Sequence, residues 1–263
     1  MINSKLKRNI TLFFYKLITK YPISESDSIN LQFHKFKRMT DNNIHDEIGD
    51  EHFSSHHDTP MREDAFSQTN EEKIASIEAD FTKIMHTLGL DLTDDSLKGT
   101  PKRVAKMFVN EIFGGLHPDR KPKMSTFENK YKYNQMLVEK DITVYSTCEH
   151  HFLPIVGKAH IGYISNGKVI GLSKMNRIVD YFAKRPQVQE RLTMQIVKAM
   201  QDALGTEDVA CVIDAKHLCV NSRGIRDIDS STVTAELGGV FKTDPTTRRE
   251  FLHYIGVHTK FNV

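Results

Sequence analysis

Cysteine is scarce in this 263-residue sequence: only Cys148, Cys211 and Cys219 are present. Three thiols in so long a chain argue against a disulfide framework and for a reducing compartment, where thiols stay available as metal ligands. No apolar run approaches the roughly 20 residues of a membrane span. The opening MINSKLKRNITLFFYKLITK holds a short apolar patch at 12–15, interrupted by Lys16 and Lys20, and is not expected to act as a secretory signal. There is no charge excess either. Lys and Arg number 36 against 34 Asp and Glu, which leaves no overall field to favour nucleic acid or a membrane surface. Any anion site must come from a local cluster. Neither a glycine-rich Walker loop nor an internal repeat of solenoid period is present. A cytoplasmic protein is expected.

Two kinds of sequence follow one another. Residues 1–69 form an extension, and from 39 to 70 it is rich in Asp, Glu, His, Ser and Asn with little to bury. That composition predicts disorder. His52, His56 and His57 within it read as a solvated tail rather than a metal site, and Met39 offers an alternative start. A folded domain is expected over 70–263, with a helical part at 70–120 and an α+β part at 140–263. Thr69 and Glu72 have capping-box spacing ahead of Ile74, Ile77, Phe81, Ile84, Met85 and Leu88. Thr100-Pro101 opens a second helix, which Gly114-Gly115 closes.

Strand patterns begin at DITVYST, and IVGKAHIGYI alternates with Ile155, Ala159, Ile161 and Tyr163 on one side. Asn166-Gly167 predicts a hairpin that returns through KVIGL. Ser173 is expected to cap a helix carrying Met175, Ile178, Val179 and Phe182, and a longer helix runs through Leu192 and Ile196 to Gly205. VACVIDAKHLCV reads as a covered central strand, SSTVTAELGGVF as another, and Asp244-Pro245 begins a last helix. The order predicts an α+β fold with antiparallel strand pairs.

Chemistry concentrates in CEHHFLP, residues 148–154. A Cys-x-x-His pair at a strand end offers a thiolate and an imidazole to one cation, and zinc suits both. Cys219, two residues after His217, is expected on the same strand face as that histidine. Cys211 reads as a core thiol. One ligand set is Cys148, His151 and Cys219 with an open fourth position, leaving His150 and His217 as proton carriers. A closed site using one of those histidines fits the spacing equally. Ser173, Lys174 and Arg177 at a helix start could receive phosphate, and Arg223 follows Cys219 closely. Arg103 and Lys106 share one helix face. Glu190 stands at the front of the longer helix, where a carboxylate is favourable in any case.

Together, CEHHFLP, GLSKMNRIVDYFAKRPQVQERLT, HLCVNSRGIRD and TRREFL resemble type I GTP cyclohydrolase, over about residues 70–260. The resemblance implies the tunnelling fold, in which α+β subunits join antiparallel sheets, helices on one face, into a barrel. It implies a homodecamer of stacked pentamers with active sites at subunit boundaries. It implies zinc on Cys148, His151 and Cys219, with His150 and His217 as the catalytic proton-transfer pair. Glu190, helped by Gln189, would hold the guanine edge of GTP. Ser173, Lys174, Arg177 and Arg223 would hold the triphosphate, with Arg103 and Lys106 reaching it from a neighbouring subunit. The implied products are formate and 7,8-dihydroneopterin triphosphate, at the start of folate or tetrahydrobiopterin synthesis. Glu149 is expected only to hydrogen-bond near the metal. Two other readings are a zinc-free nitrile reductase on the same fold, and a non-catalytic GTP-binding or structural-zinc module.

Overall fold

The computed structural model describes residues 58–257. Met39, His52, His56 and His57 lie outside the described residues. Residues just ahead of position 70 already make contacts: Phe66 meets the His117 ring edge-on, with centroids 5.5 Å apart.

Helix α1 (Asn70–Thr87) opens on the expected capping box, with Glu72 N–H donating to Thr69 Oγ1 and Thr69 N–H to Glu72 Oε2. Helix α2 (Thr100–Met107) begins one residue earlier than its proline suggests, with Gly99 as cap, and runs on into a π-helical turn, Phe108–Ile112. The two glycines do end it. Gly115 N–H donates to the Lys184 carbonyl, and a side chain there would collide with the carbonyl of Tyr181. Only glycine allows the helical part so close to the rest of the domain.

Seven strands follow among the described residues: β1 (Thr126–Glu128), β2 (Met136–Cys148), β3 (Pro154–Ile164), β4 (Lys168–Ile170), β5 (Pro186–Gln187), β6 (Val209–His217) and β7 (Thr232–Leu237). Five make the main sheet in the order β5-β2-β3-β6-β7. Its long pairs are antiparallel as expected, while the two-residue β5 runs parallel to β2 and makes the sheet mixed. Gly167 does adopt φ 82°, the left-handed turn conformation that Asn-Gly predicts. Yet β4 does not return along β3; it pairs with β1 in a separate two-stranded sheet.

Helices α3 (Leu172–Ala183) and α4 (Gln189–Leu204) cover one face of the main sheet. Met175, Ile178, Leu192, Ile196 and Met200 are fully buried against Ile155, Ala159, Ile161, Cys211 and Ile213. Each such side chain contributes roughly 1.5–3 kcal/mol of transfer free energy. Gly205, φ 69°, stops α4 in the expected left-handed cap. The one-face expectation holds for these two helices. Helices α6 (Gly239–Thr243) and α7 (Pro245–Gly256), which follow the short α5 (Leu218–Asn221), place Phe241 and Phe251 on the opposite face. There they pack on Ala210 and Val212, the alternate residues of β6. Among the described residues no helix is long and apolar enough to cross a membrane.

Candidate active site

Strand β2 ends at Cys148, and the chain reverses through CEHHFL before β3 begins. Cys148 N–H donates to the Leu153 carbonyl and Phe152 N–H to the Cys148 carbonyl, which closes the turn. Phe152 takes φ 54°, a left-handed conformation uncommon for a bulky residue. Its ring lies 5.2 Å from that of Phe113 at the end of the helical part, so aromatic packing holds the turn in this shape.

Cys148, His217 and Cys219 each place a ligand atom within 4.8 Å of the other two. Strand β6 brings His217 to the same sheet end, since Ile155 at the start of β3 pairs with it. Cys219 arrives differently from expectation. The strand stops at His217, and Leu218–Asn221 is a turn of helix, so helical rotation rather than strand alternation delivers the thiol. Burial, then the adjoining Cys148, pushes the Cys219 thiol up to about 11. A divalent cation bound there would reverse that push on Cys219 and favour its thiolate. Two thiols and an imidazole are a donor set that zinc accepts. All three cysteines are free thiols, and Cys211 is wholly buried in the core, where burial raises its pKa.

His151 is not in that cluster. Its Nε2 lies 2.9 Å from Arg223 Nη1. A guanidinium nitrogen can only donate, so His151 offers Nε2 as a lone pair. His150 Nδ1 stands 3.7 Å from Cys148 Sγ. Burial holds His217 below the ordinary histidine range; the Glu190 carboxylate works against this and His150 adds to it. Glu190, in the first turn of α4 and exposed, is close enough to His217 to act on its charge.

Gln189 is buried, and its side chain bonds to Ile213, Thr232 and His217. Ser173 is not the cap of α3. Gly171 is, with no side chain bonding the first-turn N–H groups, so Ser173 and Lys174 stand inside that first turn. Arg177, on the exposed side of α3, lines a cleft of about 260 Å³ with Arg120 and Lys184. Arg103 and Lys106 are exposed on α2, and Arg103 donates to Ser96 O and Thr100 Oγ1. A larger cavity of about 660 Å³, bordered by Tyr181, Arg185, Gln195 and Lys198, includes none of the expected metal-binding, catalytic or substrate-binding residues.

One residue had no sequence signal. Arg191, with a side chain only 3% exposed, grips Glu149 through Nη1–Oε2 at 2.6 Å and Nη2–Oε1 at 3.3 Å. Glu149 N–H also donates to the Gln187 carbonyl. The ion pair therefore ties the Cys148–His151 turn to the α4 end that bears Glu190, and the main-chain bond ties it to β5. The hydrogen bond expected of Glu149 is a bidentate ion pair.

Two thiols and an imidazole converging at one end of an α+β sheet, beside a carboxylate on a helix N-terminus, define a protein with a metal-ligand-type cluster. The family model for GTP cyclohydrolase I matches residues 77–256. GTP cyclohydrolase 1 of Flavobacterium johnsoniae is 73% identical over 216 residues, which are 82% of this chain and 96% of that protein. The Aeromonas salmonicida protein of the same name is 57% identical over 195 residues, 74% of this chain and 88% of its own. The chain belongs to the GTP cyclohydrolase I family of enzymes.

Proposed function

We propose that the protein converts GTP and water to formate and 7,8-dihydroneopterin triphosphate with zinc as its metal. The observation that carries this reading is the convergence of Cys148, Cys219 and His217, beside Glu190 and His150, in a chain of this family. When bound, zinc supplies activation of water at neutral pH. The reaction adds water at C8 of the purine, opens the imidazole ring, releases formate and recloses ribose carbons into the pterin. His150 gives a proton to N7 of the purine, and His217 carries protons in the later steps. Glu190 accepts from N1–H and the 2-amino group of guanine. Adenine presents no such donor pair and would leave the carboxylate unmatched.

The triphosphate is held at the uncapped first turn of α3 by Ser173 and Lys174, with Arg177 and Arg223 adding charge. Arg103 and Lys106 come to it from a neighbouring subunit in a decamer of stacked pentamers. Apolar surface on the single chain supports assembly: Leu88 is 71% exposed and Tyr145 68%. Among the described residues β7 pairs on one side only, which leaves an edge to continue a sheet. A native mass equal to one chain would contradict the shared site. The reaction belongs in the cytoplasm, where the free thiols remain reduced, and begins folate or tetrahydrobiopterin synthesis.

Two histidines compete for the third ligand position. We assign it to His151, whose Nε2 lone pair points outward to a cation, here the Arg223 guanidinium. Distance alone favours His217. Zinc content separates the two. His151→Ala is expected to purify with less than about a tenth of the wild-type zinc, and His217→Ala with nearly all of it while turning over at least ~100-fold more slowly. The reverse pattern of zinc content would make His217 the ligand.

A further inference from the structure

The family resemblance gives Gln189 a share in holding guanine, but its hydrogen bonds lead elsewhere. The residue is 1% exposed. Its Nε2 lies 3.0 Å from the Ile213 carbonyl oxygen and 2.8 Å from that of Thr232, with Thr234 Oγ1 at 3.2 Å. Main-chain carbonyls can only accept, so the atom facing both of them must be the amide nitrogen. This removes the usual ambiguity between the two ends of a glutamine amide. Oε1 is therefore the atom 2.8 Å from His217 Nε2, and it can only accept. His217 Nε2 must carry the proton of that bond. In the neutral ring the lone pair then falls on Nδ1.

The anchors of this arrangement are rigid. Ile213 belongs to β6 and Thr232 to β7, two paired strands. Thr193 Oγ1 bonds both the Gln189 carbonyl and Thr234 Oγ1, at 2.8 and 2.7 Å, which fixes the start of α4 to the same pair. A histidine held through strand carbonyls cannot exchange tautomers without breaking buried hydrogen bonds.

We propose that Gln189 is a positioning residue: its amide oxygen, fixed in place by the strand carbonyls, accepts from His217 Nε2–H and holds that ring in one tautomer and orientation, and its side chain does not contact guanine. This rests on the reading of His217 as a proton carrier in GTP turnover. One turn of α4 thus does two jobs, Glu190 reading the base and Gln189 orienting the histidine beside it.

The test uses the full zinc-loaded protein with ¹⁵N-labelled histidine rings. In the wild type, the His217 resonances, assigned by their loss in His217→Ala, are expected to show a protonated Nε2 and an unprotonated Nδ1. A proton on Nδ1 would overturn the proposal without any Gln189 variant. Gln189→Met removes the acceptor at similar size. It is expected to lower kcat for GTP about 30-fold with KM changed less than about threefold, and to turn the single His217 tautomer into a mixture. A KM raised tenfold or more with kcat preserved would make Gln189 a guanine contact and overturn the proposal. The nitrogen spectrum needs no turnover, so a wild type inactive on GTP would refute the proposed function while the tautomer was still read.

Discussion

Cys219→Ser is expected to leave a folded protein with less than about a tenth of the wild-type zinc and formate release from GTP lowered by more than about 10³-fold. Serine is nearly the size of cysteine, so helix α5 and the end of β6 should keep their shape. Its hydroxyl, however, stays protonated at neutral pH and is a harder donor than sulfur. Cys219 is one of the two sulfurs that meet at the sheet end, and both histidine assignments require it. Cys211→Ser is the matched control. That thiol is wholly buried on the core face of β6, packed among Ile161 and Ile213. A hydroxyl there should cost stability, about 1–3 kcal/mol, and leave zinc bound. Loss of zinc from Cys211→Ser with retention in Cys219→Ser would contradict the ligand assignment outright.

Glu190→Ala should lower kcat/KM for GTP by about 10⁴-fold, near 5.5 kcal/mol of transition-state stabilisation. The size follows from the partner it loses. Guanine offers two parallel N–H donors, and a carboxylate is the one side chain that accepts both at once. Because Glu190 is exposed, its removal should alter stability by no more than about 0.5 kcal/mol. Zinc should remain, since no proposed ligand changes. Glu190→Gln is the stricter test. It keeps shape and size yet turns one end of the group into a donor facing another donor, so it should fail almost as badly. Unchanged KM for GTP in either variant would remove Glu190 from substrate recognition.

The helices were legible because their signals are local. Thr69 with Glu72, Gly205 after Leu204 and Asp244 before Pro245 mark ends that the structure repeats, with Asp244 accepting from Thr246 and Thr247 N–H. The sheet was less so. Asn166-Gly167 forms the turn it predicts, but pairing depends on which strand is near. β1, forty residues earlier in the sequence, takes β4 away from β3. The parallel β5 is two residues long and carries no pattern to detect.

The site divides along the same line. Cys148, His150, His151, His217 and Cys219 were readable as residues able to bind metal or carry protons; the fold brings Cys148, His217 and Cys219 together and sets His151 against Arg223. How Cys219 gets there was not readable, because one turn of helix interrupts an apolar strand run without Gly or Pro to announce it. Arg191 gave no signal. Only burial distinguishes the arginine that holds Glu149 from a solvated one. Gln189 is tied to guanine by family resemblance alone; its bonds to Ile213, Thr232, Thr234 and His217, on which the positioning proposal stands, had no signal in the sequence.

The central claim is that this chain opens the imidazole ring of GTP using a metal held by its thiols. The most direct measurement is incubation of the purified protein with GTP, following formate release and the fluorescence of the oxidised pterin, before and after removal of metal by a chelator. The account predicts equal yields of formate and pterin, loss of both on chelation, and recovery on adding zinc alone. GTP that is bound but returned unchanged, or turnover indifferent to chelation in metal-free protein, would contradict it.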